Sequence, residues 1–181
     1  MKLLICSDIH GDLDSIEMVL SAYEKEGADK LVILGDLLYH GPRNDLPTSY
    51  APKAVIELLN SHKDHILAVR GNCDTEVDQM VLSFPILADY AYLSVDGISL
   101  FMTHGHRFGL DNPPPLKKGE ILVCGHTHVL KCEPFGDENL YLNPGSAALP
   151  KGGNPRSYMI YENKRFEIKT LDGDVILSKD V

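Results

Sequence analysis

Two carboxylates, one amide and four imidazoles stand just past the ends of apolar runs: Asp8 and His10 after "KLLIC", Asp36 after "LVIL", Asn72 after "HILAV", His104 after "ISLFMT", and His126 and His128 after "ILVC". Seven oxygen and nitrogen donors exceed the four ligands of one tetrahedral ion. They suit two ions that share a carboxylate. Mixed N and O ligation favours Mn, Fe, Zn, Co or Ni over Mg or Ca, which prefer shells of oxygen alone, and the absence of Cys from these positions argues against a closed structural zinc. Two divalent ions about 3.5 to 4 Å apart can activate a bridging water as hydroxide and clamp both the attacking and the leaving oxygen of a phosphoryl group. The donor set therefore points to hydrolysis.

The elements that must carry these donors are legible from hydrophobic pattern. "KLLICSD", "KLVILGD" and "HILAVRGN" read as strands buried on both faces. Between the first two, Asp12 can cap a helix whose Leu13, Ile16, Val19, Leu20 and Tyr23 recur at helical spacing until Gly27. Between the second and third, "APKAVIELLN" reads as a helix with Pro52 in its first turn and Val55, Leu58 and Leu59 on one face. From about residue 88 the texture changes to shorter strands with hairpin turns at Asp96-Gly97, Asn163-Lys164 and Asp172-Gly173. The expected order is βαβαβ followed by mostly β. In open α/β sheets ligands bind at the carboxyl edge of the strands, where the donors stand.

Composition bounds the class. A chain of 181 residues, 44% hydrophobic, is the size of one globular domain, taken here as residues 1–181. A formal net charge of −9 argues against a surface that neutralises a phosphate backbone, so no nucleic-acid partner is expected. Cys6, Cys73, Cys124 and Cys132 form no CxxC pair, which suits a reduced chain. No apolar run reaches a membrane span and the N-terminal one is too short for a signal peptide, so a cytoplasmic location is expected.

The motifs "SDIHGD", "LGDLL", "RGNCD", "THGH" and "CGHTH", in that order, closely resemble the five motifs of the calcineurin-like metallophosphoesterase superfamily. Any one of them is weak; the ordered series is specific. "GDLLYHGPRN", "RGNCDTEVDQM", "FPI" and "NPGSAALPKGGNP" are similar to the small bacterial YfcE-type phosphodiesterases within it. The resemblance implies an α/β fold, a four-layer αββα sandwich of two mixed sheets flanked by helices. It also implies a binuclear centre, with manganese the expected metal, that cleaves small phosphodiesters. Carried over residue by residue, it gives Asp8, His10 and His128 as ligands of one ion, Asp36 as the bridge, and Asn72, His104 and His126 as ligands of the other. Within "THGH" either imidazole offers a ligand, and the family pattern favours His104, leaving His106 for substrate.

The departure is Cys73, where many superfamily members place a His that can bond a phosphoryl oxygen or protonate the leaving group. A thiol near two cations tends toward thiolate, which donates no proton, so catalytic assistance from position 73 competes with a small packed side chain of no catalytic weight. Asp74 either restores polar function or caps a turn. The loop of residues 37–52 suggests a lid or pocket wall, in which Arg43 and Asn44 are candidates for substrate oxygens. Bracing of the site, or contact within a homo-oligomer, is the competing reading of that loop. A phosphomonoesterase is the alternative enzyme. An interaction scaffold is the alternative class, because the fold resembles the metallophosphoesterase-like subunit of the retromer coat; a platform of that kind can lose ligands, whereas this chain keeps all seven.

Overall fold

The computed structural model describes residues 1–181. Its elements in chain order are β1 (Leu3–Cys6), α1 (Leu13–Glu26), β2 (Lys30–Ile33), α2 (Pro52–Ser61), a 3-10 turn (Lys63–His65), β3 (Ile66–Ala68), α3 (Glu76–Val81), β4 (Tyr90–Val95), β5 (Ile98–Thr103), β6 (Ile121–Val123), β7 (Lys131–Phe135), β8 (Asn139–Asn143), β9 (Ser157–Glu162), β10 (Arg165–Thr170) and β11 (Val175–Asp180). The strands form two mixed sheets, one ordered β11-β10-β9-β1-β2-β3 and the other β4-β5-β6-β8-β7. β1, β2 and β3 run parallel in the first, and β5, β6 and β8 run parallel in the second.

Strand alternation divides the core. Leu3, Ile5 and Val32 of the first sheet meet Leu100, Met102, Ile121, Val123 and Leu142 of the second in the layer between the sheets. The opposite face of the first sheet, with Leu4, Cys6, Leu31 and Ile33, is covered by Ile16, Val19, Leu20 and Tyr23 of α1 and by Val55 and Leu59 of α2. α1 begins at Asp12, whose carboxylate accepts from Ser15 N, and ends at Gly27 in the left-handed region (φ 62°), where a Cβ would be strained. Pro52 opens α2 as expected.

The expected hairpins form. Asp96-Gly97 (φ 51° and 81°) joins β4 to β5, and Asn163-Lys164 (φ 50° and 62°) joins β9 to β10, the paired positive φ of two-residue loops whose twist matches the strands. Two features differ from the sequence reading. A short helix, α3, follows Asn72, started by a capping box between Thr75 and Asp78. The outer face of the second sheet, with Phe101, Leu122, Cys124 and Tyr141, is covered by Leu110 and Leu116 of the irregular chain between β5 and β6, not by a helix. That segment carries Pro113, Pro114 and Pro115, which remove three amide donors. No helix is long and apolar enough to cross a membrane.

Candidate metal centre

The seven donors lie in the loops that leave the carboxyl ends of β1, β2, β3, β5 and β6. Because the parallel cores of the two stacked sheets each deliver such ends, loops from both converge. Five of the seven residues hold left-handed backbone: Asp8 (φ 58°), His10 (φ 50°), Asp36 (φ 55°), His126 (φ 67°) and His128 (φ 59°). For residues with a Cβ this costs on the order of 1–3 kcal/mol each and persists only where the surroundings impose it. Here they do. Asp8 N donates to Gly35 O (3.1 Å), His10 N to Asp36 O (2.9 Å), Gly125 N to His104 O (2.8 Å) and His126 N to Asp8 Oδ2 (3.0 Å), stitching four loops together.

Carbonyl groups fix the imidazoles. His10 Nδ1 donates to Tyr39 O (2.8 Å), His104 Nδ1 to Leu34 O (2.6 Å) and His128 Nδ1 to Leu149 O (2.6 Å). A carbonyl only accepts, so each Nδ1 carries the proton and each Nε2 presents a lone pair inward. The Nε2 atoms of His10 and His128 then face one another at 3.3 Å, and two lone pairs at that separation repel unless a cation lies beside them. Asp8 Oδ1 stands 3.2 Å from His128 Nε2 and 3.7 Å from His10 Nε2, buried and without a hydrogen-bond donor. Asp36 Oδ2 lies 3.8 Å from His10 Nε2 and 3.5 Å from His104 Nε2. Asn72 Oδ1 and His126 Nδ1 are each 3.2 Å from His104 Nε2. Three three-residue groups, Asp8–His10–His128, Asp8–Asp36–His104 and His10–Asp36–Cys73, have ligand atoms close enough to hold an ion. The orphaned Asp8 oxygen and the inward lone pairs fit divalent cations.

The electrostatics agree. Burial raises the Asp8 carboxyl, but His10 and His128 outweigh it and hold it well below the usual carboxylate range. Burial lowers His104, yet Asp36 and Asp8 lift it to about 9. Without an ion the carboxylates draw a proton onto this imidazole, the response of a cluster built for positive charge. Burial, then Asp36, pushes the Cys73 thiol far up. The protein's own field thus opposes the thiolate that neighbouring cations alone would favour.

A family model for the calcineurin-like phosphoesterase superfamily domain matches residues 1–165. The chain belongs to this superfamily. Its sequence is 49% identical over 179 residues to phosphodiesterase YfcE of Escherichia coli K12, covering 99% of this chain and 97% of that protein. The solved structure of E. coli YfcE, described as a phosphoesterase, matches with a TM-score of 0.95 at 48% identity, over 99% of this chain and 98% of that one. Vps29 of Entamoeba histolytica matches with a TM-score of 0.63 at 20% identity over 100% and 98% of the chains, a likeness of fold alone.

The phosphoesterase centre opens into a cavity of about 380 Å³ walled by Gly41, Pro42, Arg43 and Asn44 on one side and Thr127 and Lys151 on the other. The loop of residues 37–52 is anchored at its C-terminal end: Leu13 N donates to Ser49 O, Ala51 N to Gly11 O, and Ser49 N to Asp12 Oδ1. Arg43 is exposed at this wall, whereas Asn44 spends its amide on His40 O (2.8 Å). His106 is apart from this cavity. It lines a separate cleft that meets the first at His126 and Thr127, with its Nδ1 buried and unpartnered.

Three further residues of the phosphoesterase organise the centre, and of these the sequence had singled out Asp74 alone. The Asp74 carboxylate accepts from Asp36 N (2.8 Å), Leu37 N (2.9 Å) and Gly71 N (2.7 Å), tying the loop after β2 to the loop after β3. Its burial raises the carboxyl to about 6, against those three donors. Asn143 donates to Gly125 O and accepts from Gly145 N. Ser146 Oγ donates to Asp8 O and accepts from Leu149 N. Both lie in the stretch "NPGS", whose partners at Gly125 and Asp8 are too distant in the chain for its local sequence to reveal.

Proposed function

We propose that this phosphoesterase, as one domain of 181 residues, is a metal-dependent phosphodiesterase with two divalent ions per chain, Mn before Zn, Fe, Ni or Co. The observation that carries the reading is the pair of ligand groups meeting at Asp8 beside Asp36, with three imidazoles tautomerically fixed toward them. The 49% identity to a protein named phosphodiesterase supports the choice of bond. Asp8, His10 and His128 would hold one ion, Asn72, His104 and His126 the other, and Asp36 would bridge. When bound, the pair would supply Lewis acidity that activates water as the nucleophile and positive charge that stabilises the phosphoryl oxygens.

The chain's own groups do the rest. Tyr39, Leu34 and Leu149 carbonyls hold the imidazoles in the tautomer that ligates. Arg43 offers a fork for a non-bridging phosphoryl oxygen at the cavity wall, with Asn44 shaping that wall. Cys73 lines the same cavity, its Sγ close to the ligand atoms of His10 and Asp36. The cavity admits a small diester, and the net charge of −9 supports a substrate other than a nucleic-acid duplex. A cytoplasmic site of action fits this reading, as does a homo-oligomer.

The deciding assay is hydrolysis of bis(p-nitrophenyl) phosphate with and without Mn, beside p-nitrophenyl phosphate. Faster cleavage of the diester only with Mn is expected; preference for the monoester, or no Mn dependence, overturns the proposal. Two variants refine it. Arg43→Ala is expected to raise KM about tenfold with kcat nearly unchanged, as for a contact equal in ground and transition states; unaltered steady-state constants would leave the arginine a surface charge. Cys73→Ser and Cys73→Ala are expected to keep within about tenfold of the parental kcat, since general acid help is worth about 10²-fold or more where it operates. Near-complete loss with two ions still bound would make the thiol essential.

A further inference from the structure

The cavity over the centre is lined by polar and charged side chains together with Gly41, Pro42 and Cys73, and it shares a wall with an apolar cleft. Cys73 lines both. The cleft, about 410 Å³, is bounded by Leu38, Tyr39, Tyr50, Ile56, Val77 and Val81. Ligand pockets have this size and this composition, apolar walls beside a few placed polar groups. Cys73 Sγ and the ligand atoms of His10 and Asp36 all lie within 4.8 Å of one another, so only the width of a thiol separates the cleft from the centre.

The far wall is held in place without being packed. α3 buries none of its six residues, and Val77 is 68% and Val81 44% exposed. An outward helix position is ordinarily polar, and apolar groups left open along a cleft mark a surface meant to be covered. Meanwhile the helix is anchored at both ends. The capping box fixes Thr75 and Asp78, and the Gln79 amide donates to Leu82 O and Phe84 O and accepts from Ile86 N.

We propose that this cleft is the subsite for an apolar ester arm, aryl or branched alkyl, of the phosphodiester substrate. The inference rests on the phosphodiesterase reading and adds the substrate class to it. Only the small Cys73 side chain parts the centre from this cleft, and Leu, Ile, Val and Tyr side chains of the kind that line the cleft are missing from the cavity over the centre.

The test uses the Mn-reconstituted protein and two probes with the same charged head, phenylphosphonate and methylphosphonate, titrated by calorimetry. Phenylphosphonate is expected to bind about tenfold tighter or more, the worth of burying a small apolar group in a fitted pocket. Val77→Asp and Val81→Asp should each reduce that preference to about twofold or less, because a carboxylate then faces the arm. Met80→Asp, on the same helix and 83% exposed but outside the cleft, should preserve it. Equal affinities in the parent protein, or a preference that survives both cleft variants, would overturn the proposal. Sedimentation of the same variants decides the competing occupant, a second copy of the chain: a changed association state with the preference intact would assign the cleft to self-association instead. Loss of diester hydrolysis with the phenyl preference intact would count against the diesterase reading alone.

Discussion

Asp36→Asn is expected to lower kcat/KM on a chromogenic diester by about 10³-fold or more, with fewer than two ions bound per chain at saturating Mn. The reason is positional. Asp36 is 2% exposed, its Oδ1 is occupied by Cys73 N at 2.8 Å, and its Oδ2 lies between the inward nitrogens of His10 and His104. An amide keeps the shape but removes the charge, and its NH₂ group cannot ligate. If the amide oxygen faces the centre, its NH₂ meets the Cys73 N–H donor to donor; if it turns away, the NH₂ meets the ions. Elemental analysis after gel filtration, run beside the kinetics, separates lost ions from lost chemistry. Two ions retained with near-parental turnover would remove Asp36 from the bridging role.

A second large effect is expected at Asp74, which touches no substrate and acts through Asp36. Asp74→Ala leaves the N–H groups of Asp36, Leu37 and Gly71 without their acceptor in a place only 1% exposed. Hydrogen bonds to a charged group contribute about 1.5–3 kcal/mol each, and stranded donors cost more than the bonds return. We expect a loss of about 3–5 kcal/mol in stability, read as the urea midpoint at constant m. Asp74→Asn should recover part of it, since its one oxygen can still accept. The readout that distinguishes positioning from general bracing is metal affinity. Loops freed at Gly71 and Asp36 should bind Mn about 10- to 100-fold more weakly, the usual penalty for removing a group that orients a ligand. Weakened stability with unchanged Mn affinity would make Asp74 a structural carboxylate only.

Gly71 shows why this region tolerates so little. A Cβ there would overlap the Asp36 carboxylate and its backbone nitrogen. The glycine of "RGNCD" therefore permits the close approach of two loops, which local sequence cannot reveal because the partner lies 35 positions away.

The sequence by itself determined the strands and their polar ends. Continuous apolar runs as short as "KLLIC" and "ILVC", bounded by polar residues, read as buried strands, and β1 and β6 are fully buried; Asp12, Gly27 and Pro52 marked helix ends because capping and fixed φ act within a few residues. The seven donors were legible for the same reason, each being a chemical type at a strand end. What only the tertiary structure decided is how those ends meet. Two sheets had to stack so that the loop holding Asp8 reaches His128 across 120 positions, and carbonyls of Leu34, Tyr39 and Leu149 had to arrive to choose each imidazole's tautomer. Asp74 was open between polar function at the site and a turn cap, and only the fold brings three amides from two loops onto its carboxylate. The cleft beside Cys73 was invisible for a related cause: its walls come from the loop after β2, from α2 and from α3, and a short polar-looking helix carries no periodic signal. Periodicity and capping are local forces and leave local marks, whereas a hydrogen bond or a shared cavity between distant segments is fixed only when the chain has packed.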